Sequence, residues 1–450
     1  MLIPERTNFI LTRLRERGFA AYAVGGCVRD SLLGLTPGDW DVCTSARPEE
    51  TEQVFSDLRV VETGLKHGTV TVIYQGEPFE ITTFRRDGDY VNHRSPEQVT
   101  FVSSLEEDLR RRDFTVNAMA ADENGNVIDL FGGREDLRMG VIRCVGDPEE
   151  RFREDALRIL RAMRFAARLH FDVDLLTADA MEACAPLLRQ ISPERVFSEL
   201  TGMLTGPDCP HMLERFAGVL AVVLPEIVPA MGFDQRNPYH NRDVWGHTVE
   251  AVSKSRPDPL VRWALLLHDL GKPDCFTLDD RGVGHFVGHP DRGAEIAREI
   301  MTRLRADRDT REAVCQMVRW HEGIAPATNG NVRRWIARLG PELLIRLLEV
   351  KRADCLAHVD MPGSRQRYND IVAFKEAVGR SLREDGCFTV RDLSVDGGDI
   401  LELGIEAGPK VGEYLNALLE EVVEDRLPNR RDALLDWLRR RKEEDLELAD

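Results

Sequence analysis

The period of the apolar positions changes along the chain, and that change divides it. Within the first 140 residues the apolar runs are short and of strand length: Tyr22, Ala23 and Val24, then residues 69–74 and 78–84. Gln75, Gly76 and Glu77, between the last two, predict a hairpin turn. After Gly25-Gly26 a helical pattern starts through Cys27, Val28, Leu32 and Leu33. Residues 5–17 predict a short amphipathic helix, and Arg47-Pro48-Glu49-Glu50 begins another, with Pro48 in its first turn. From residue 148 to 169 the period is helical throughout. Phe152, Ala156, Leu157, Leu160, Met163 and Ala167 return on one face, which predicts one continuous helix. The expected fold class is α+β, an N-terminal unit with a mixed sheet followed by all-α domains.

Composition changes this picture little. A chain of 450 residues has room for two to four domains. It has no run of eighteen apolar residues and no cleavable signal pattern at Met1-Leu2-Ile3-Pro4, so a soluble, cytoplasmic protein without a membrane partner is expected. Nine cysteines, scattered singly with no C-x-x-C pair, argue against a disulfide framework or a zinc ribbon and suit a reducing compartment. A net charge of −18 argues against a nucleic-acid partner for the chain as a whole, but local patches do the binding in a multi-domain protein.

The chemistry begins in residues 22–42, YAVGGCVRDSLLGLTPGDWDV. Paired glycines at a strand-to-helix turn let the backbone approach a ligand closely. The helix start behind Gly25 and Gly26 offers N–H groups and a positive dipole end to phosphate. Arg29 can add a forked cation. Ten residues on, Asp39 and Asp41 flank Trp40, and in a strand both carboxylates would project to one face. Two such charges repel unless a divalent cation sits between them, and carboxylates with nucleotide phosphates are the usual setting for Mg²⁺. Glu80, on a neighbouring predicted strand, is an inward-facing candidate for a third carboxylate.

Gly25, Gly26, Arg29, Asp39 and Asp41 together resemble the head signature of the class II tRNA nucleotidyltransferases, the CCA-adding enzymes of the polymerase-β-like superfamily. The resemblance continues along the chain. Residues 85–98 are polar and read as a mobile loop. In the family a loop here helps the switch from CTP to ATP; Tyr90 and Arg94 match its pattern, while Asn92 stands where an acidic residue is common. Residues 110–118, RRRDFTVNA, resemble the family's R-R-D-F-T-x-N-A motif. The resemblance implies nucleotide contact by Arg112, sugar contact by Asp113, and Asn117 within the same pocket. Asp129-Leu130-Phe131-Gly132-Gly133 matches a head-to-neck hinge. Glu154-Asp155-Ala156-Leu157-Arg158 looks like the family's protein template for the incoming base. Asp155 would accept from an exocyclic amine and Arg158 donate to ring nitrogen or carbonyl, three apart on one helix. Arg161 and Arg164 would steady phosphates or the Asp155 side chain. Residues 194–200, ERVFSEL, resemble an element that braces the neck.

Beyond a proline-rich stretch at 225–240 comes a second constellation: His247, His268-Asp269, His289, His321 and Asp354. Imidazole with carboxylate is a ligand set for transition metals and for Mn²⁺ or Mg²⁺. The order resembles the HD superfamily of metal-dependent phosphohydrolases. The glycine-punctuated turns of residues 395–412 and the basic residues Arg430, Arg431 and Arg439 to Lys442 suggest an RNA-facing tail, with a solvated basic face as the equal alternative.

The resemblance thus implies a nucleotidyltransferase head (1–140), a helical neck with the base template (141–222), an HD metal-binding domain (223–360) and a helical, tRNA-binding tail (361–450). It implies addition of C, C and A to tRNA from CTP and ATP with release of pyrophosphate. Mg²⁺ is expected at the head and a second divalent transition metal at the HD site; DNA is not an expected partner. A CC-only or A-only enzyme and a poly(A) polymerase stay open as alternatives. So does an HD phosphohydrolase whose head only binds nucleotide or RNA.

Overall fold

The computed structural model describes residues 1–450 except 65–67, 88–89, 92–94, 97–98, 385–387, 425 and 448–450. Asn92 and Arg94 of the expected loop therefore lie outside the described residues. The chain forms two compact units, residues 1–225 with 303–306, and residues 226–302 with 307–450.

The first unit is built on a seven-stranded sheet. In spatial order its strands are Val127–Asp129, Met119–Ala121, Ala21–Val24, Val42–Thr44, Glu77–Thr83, Thr69–Tyr74 and Arg59–Gly64. Only Val42–Thr44 and Glu77–Thr83 run parallel, with Val42 opposite Ile81; the other pairs are antiparallel. The turn at Gln75-Gly76 has positive φ at both residues, as a tight hairpin between right-twisted strands requires. Val24, Cys43, Phe84, Leu109 and Ala120 form a buried cluster against the sheet. Around the expected loop the described backbone forms two short ladders, Arg85–Asp87 with Val99–Phe101 and Tyr90–Val91 with Ser95–Pro96.

Two sequence expectations give way here. Asp39 and Asp41 are not strand residues, because the strand begins at Val42. Asp41 still accepts from the N–H of Val24 at 3.0 Å, but there the neighbouring strand ends and Gly25 turns away at φ 83°, so Asp39 has no ladder to join. Nor is the neck one helix. It divides into Pro148–Glu154 and Leu157–Leu169, with Asp155 extended between them at φ −137°, ψ 102°. The apolar period runs straight through the break. At the break Asp155 Oδ1 accepts the N–H of Leu157 at 3.0 Å, a local side-chain turn that competes with a continuous helix.

Helices Val244–Ser253, Pro259–Leu267, Arg308–Arg319 and Pro341–Ala357 pack together in the second unit. Towards the C-terminus, Leu393, Val395, Ile400, Leu418, Leu434 and Leu438 make a small core of their own. In the first glycine turn there, Asp396 takes up the N–H groups of Gly398 and Asp399. Several of its cations are also engaged. Arg431 pairs with Asp399, Arg439 with Asp436 at 2.7 Å, and Lys442 donates to the Leu403 carbonyl at 2.7 Å. No described helix is long and apolar enough to cross a membrane.

Candidate functional site

The parallel register sets the first site. Because Val42 lies opposite Ile81, Asp41, just before its strand, and Glu80, within the neighbouring one, come side by side. Glu80 is exposed on the face of the sheet away from Phe79 and Ile81, which point into the core, and its charge reaches Asp41. Asp39 and Asp41 are exposed too. The Asp41 carboxyl is pushed up to about 6, first by desolvation and then by the charges of Asp39 and Glu80, with Arg112 opposing. Three carboxylates gathered in this way are suited to a divalent cation, whose charge would offset theirs.

Behind them, Gly25 at φ 83° caps the helix Gly26–Leu32. A Cβ on Gly25 would lie 3.2 Å from the Arg112 guanidinium, so the turn and Arg112 are in near contact. Arg112 pairs with buried Asp108 at 3.2 Å, and its Nε is buried with no hydrogen-bond partner among the described residues. Arg29 departs from expectation. It is 4% exposed, with its fork already committed to Asp30 at 2.7 Å and to Asn117 Oδ1 at 2.6 Å. Only a helix packed closely against the 3₁₀ turn Thr115–Asn117 could bury a cation in this way, and sequence spacing does not reveal such packing.

From Asn117 the network continues into the neck. Asn117 donates to Asp113 Oδ1 at 3.2 Å, and Arg161 donates to Asp113 Oδ2 at 2.9 Å. Arg164 donates to Glu199 at 2.5 Å, and Arg161 stands 3.7 Å from the same carboxylate. The guanidiniums of Arg29, Arg161 and Arg164 stack around one ring, Phe165, at 5.1, 5.2 and 4.5 Å. Asp113 is thus a buried junction between head and neck. Burial alone would raise its carboxyl, but Arg161 and Asn117 hold it down to about 2.

That depression gives a pH prediction. The Asp113 pairs stabilise the fold above the ordinary carboxylate range, and the stability is lost as pH falls towards about 2. Asp113→Asn should cost about 3 kcal/mol at pH 7, as removal of one member of a buried pair does. In urea unfolding, the difference between variant and wild type should shrink steadily from pH 4 to pH 2.5.

At the helix break, Asp155 Oδ2 accepts from Arg195 at 2.8 Å. Arg158, in the first turn beyond, is 8% exposed. It donates to Glu154 at 2.6 Å and to the Arg111 carbonyl at 3.0 Å. Asp155 and Arg158 thus meet at a joint and not along one helix: the Arg158 N–H donates to the Asp155 carbonyl at 3.0 Å, while the two side chains hold other partners.

In the second unit the imidazoles and carboxylates converge in two groups. Ligand atoms about 2.1 Å from one ion lie roughly 3.0–3.4 Å from one another. His247 Nε2 is 3.0 Å from Asp354 Oδ1 and 3.6 Å from Asp269 Oδ2, and His268 Nε2 is 3.2 Å from Asp269 Oδ2. On the far oxygen, Asp269 Oδ1 is 3.5 Å from His289 Nε2 and 3.7 Å from His321 Nε2; those two imidazoles are 3.2 Å apart. The Nδ1 atoms of His268, His289 and His321 each lie 2.6–2.8 Å from a backbone carbonyl oxygen, which leaves Nε2 for an ion. His268 Nε2 is buried, and the Asp269 carboxylate stands 3.2 Å from it. This donor set fits metal, with Asp269 offering one oxygen to each group. A cavity of about 520 Å³ opens on the cluster, with Lys272 and Arg367 on its wall.

The comparisons with known proteins bear on both units. The Poly A polymerase head domain matches residues 21–143, the "Probable RNA and SrmB- binding site of polymerase A" residues 170–231, and the tRNA nucleotidyltransferase domain 2 residues 292–438. The CCA-adding enzyme of Geobacillus thermodenitrificans is 36% identical over 96% of both chains, and that of Geobacillus stearothermophilus 37% identical over the same shares. A crystal structure of the Bacillus stearothermophilus CCA-adding enzyme in complex with CTP superposes with a TM-score of 0.74 at 32% identity, covering 99% of this chain and all of that one. The chain belongs to the CCA-adding enzyme family.

CCA-adding enzymes are nucleotidyltransferases, and enzymes of this kind use divalent metal ions, which suits the trio of Asp39, Asp41 and Glu80. Membership also makes clear what sequence reading missed in this CCA-adding enzyme. Arg195 reads as a brace in its motif, yet its guanidinium is bound to the proposed template carboxylate. Phe165 reads as one more apolar helix position. His240 and His358 stand on the same cavity as Asp269 and Asp354; His358, four residues after Asp354, was the one detectable by spacing.

Proposed function

We propose that the chain adds C, C and A to the 3′ end of tRNA from CTP and ATP, releasing pyrophosphate, in the cytoplasm. The carrying observation is the carboxylate trio beside a glycine turn, within a chain 32% identical to an enzyme crystallised with CTP. Asp39 and Asp41 would hold Mg²⁺, with Glu80 as the third carboxylate. A cation bound there supplies Lewis acidity for the 3′-hydroxyl and neutralises charge on the leaving pyrophosphate. Gly25 and Gly26 bring backbone close to the triphosphate, and Arg112 stands behind them. Asp113 serves as the head-to-neck junction through Arg161 and Asn117. Asp155 reads the base: Oδ1 is occupied by Leu157 and Oδ2 by Arg195, but each carboxylate oxygen has a second lone pair for an exocyclic amine. Arg195 keeps the carboxylate aimed, and Arg158 donates beside it.

Incorporation into tRNA lacking its CCA end tests the whole reading. CTP alone should add two nucleotides and ATP then one. Stopping after two with both present points to a CC-only enzyme, and a run of adenosines to a poly(A) polymerase.

The second unit favours a further activity, metal-dependent phosphoester hydrolysis, because Lys272 and Arg367 share the cavity with two metal positions. Its residues lie outside the head. His268→Ala with Asp269→Ala should therefore strip tightly bound metal, measured by elemental analysis, while CTP incorporation continues. Unchanged metal content would show the ligand set to be wrong.

A further inference from the structure

We infer that His240 and His358 form a third metal position on the wall of the second-unit cavity, beside His247, and that it takes a transition ion which prefers nitrogen ligands. It rests on the two-position reading of that cavity and adds two imidazoles which neither position uses. The rings of His240 and His358 are 4.6 Å apart, and those of His247 and His240 4.7 Å. One ligand atom from each of the three histidines falls within 4.8 Å of the others. Ligand atoms of one tetrahedral ion stand about 3.4 Å apart, so the three imidazoles would turn towards one another on binding.

Two observations separate this triad from packed rings. His358 Nδ1 lies 2.9 Å from the Asp354 carbonyl oxygen, the arrangement that fixes His268, His289 and His321 with Nε2 open. His240 Nδ1 is buried and has no hydrogen-bond partner among the described residues. Both side chains line the same cavity as Asp269, His289 and His321. Three imidazoles and no carboxylate select zinc, nickel, cobalt or copper over magnesium or calcium.

The test uses the full chain, stripped with a chelator and titrated with Co²⁺ alone. Visible ligand-field bands and elemental analysis are the readouts. Wild type should bind one more Co²⁺ than His240→Ala or His358→Gln. Asp269→Asn should lose the ions that share Asp269 and keep the one at His240 and His358. CTP incorporation, which uses none of these residues, checks the fold; His240→Asn replaces His240→Ala if the latter fails that check. Equal Co²⁺ content and identical bands in wild type and both histidine variants overturn the third position. So does an Asp269→Asn protein from which adding His240→Ala removes no further Co²⁺. If Asp269→Asn alone removes ions, the two-position reading stands and only the third position falls. If Asp269→Asn removes none, the two-position reading falls as well.

Discussion

Asp41→Asn is expected to lower single-turnover CTP incorporation about a thousandfold or more at saturating Mg²⁺, and Asp39→Asn similarly. A thousandfold is about 4 kcal/mol of transition-state stabilisation, which is within what a Lewis-acidic cation contributes. The geometry explains why one charge matters so much. Asp41 stands between Asp39 and Glu80, and both raise its proton affinity. Removing its charge leaves a cation two carboxylates where the site has three. Glu80→Gln, at the rim, should cost less. Because Asp39 and Asp41 are exposed residues in front of the strand, neither change should disturb the core. Metal content of the second unit should therefore stay at the wild-type level. Activity within about tenfold of wild type in either aspartate variant would falsify the metal assignment.

The second large effect is on base choice. Asp155→Ala should slow CTP and ATP together and relax the rejection of UTP. Cytosine and adenine present an amine beside a ring-nitrogen acceptor, whereas uracil turns a carbonyl towards the carboxylate. Two acceptors facing each other cost about 1–3 kcal/mol, so the CTP-over-UTP ratio should fall by roughly ten- to a few hundredfold. Arg195→Ala adds a finer test. It removes the group that holds Oδ2 and keeps the acceptor. Rates should drop for CTP and ATP, with less loss of selectivity than in Asp155→Ala. Single-turnover rates with each triphosphate decide it. An Asp155→Ala enzyme with the wild-type CTP-over-UTP ratio rules out the template.

Much of the site was legible because its residues sit in short, dense segments. The glycine turn, the paired aspartates and the segment from Glu154 to Arg158 need only local spacing to be seen. The errors share a cause as well. A helical period cannot reveal that an aspartate within it will turn its side chain onto the backbone two residues on, as Asp155 does with Leu157. Spacing also cannot tell a solvent-facing arginine from one enclosed by tertiary packing, which is why Arg29 read as free and proved buried between Asp30 and Asn117. Glu80 was read in the right strand, but strand alternation fixes two faces without saying which one the core covers, so only the structure shows Phe79 and Ile81 on the core side and Glu80 on the other. The imidazole cluster was visible as a list of ligands in order. Its division into groups about the two oxygens of Asp269 depends on contacts across up to 107 residues of chain.

The chain of pairs from Arg29 through Asn117, Asp113 and Arg161 to Glu199 has a bearing on ionic strength. Salt screens exposed charges strongly and enclosed ones little. Capture of a polyanion weakens steeply as salt rises, because counterions compete for every phosphate contact. Much of the network that aligns neck with head is shielded from those counterions. In concentrated salt this enzyme should therefore lose its grip on RNA long before it loses its preference among nucleotides.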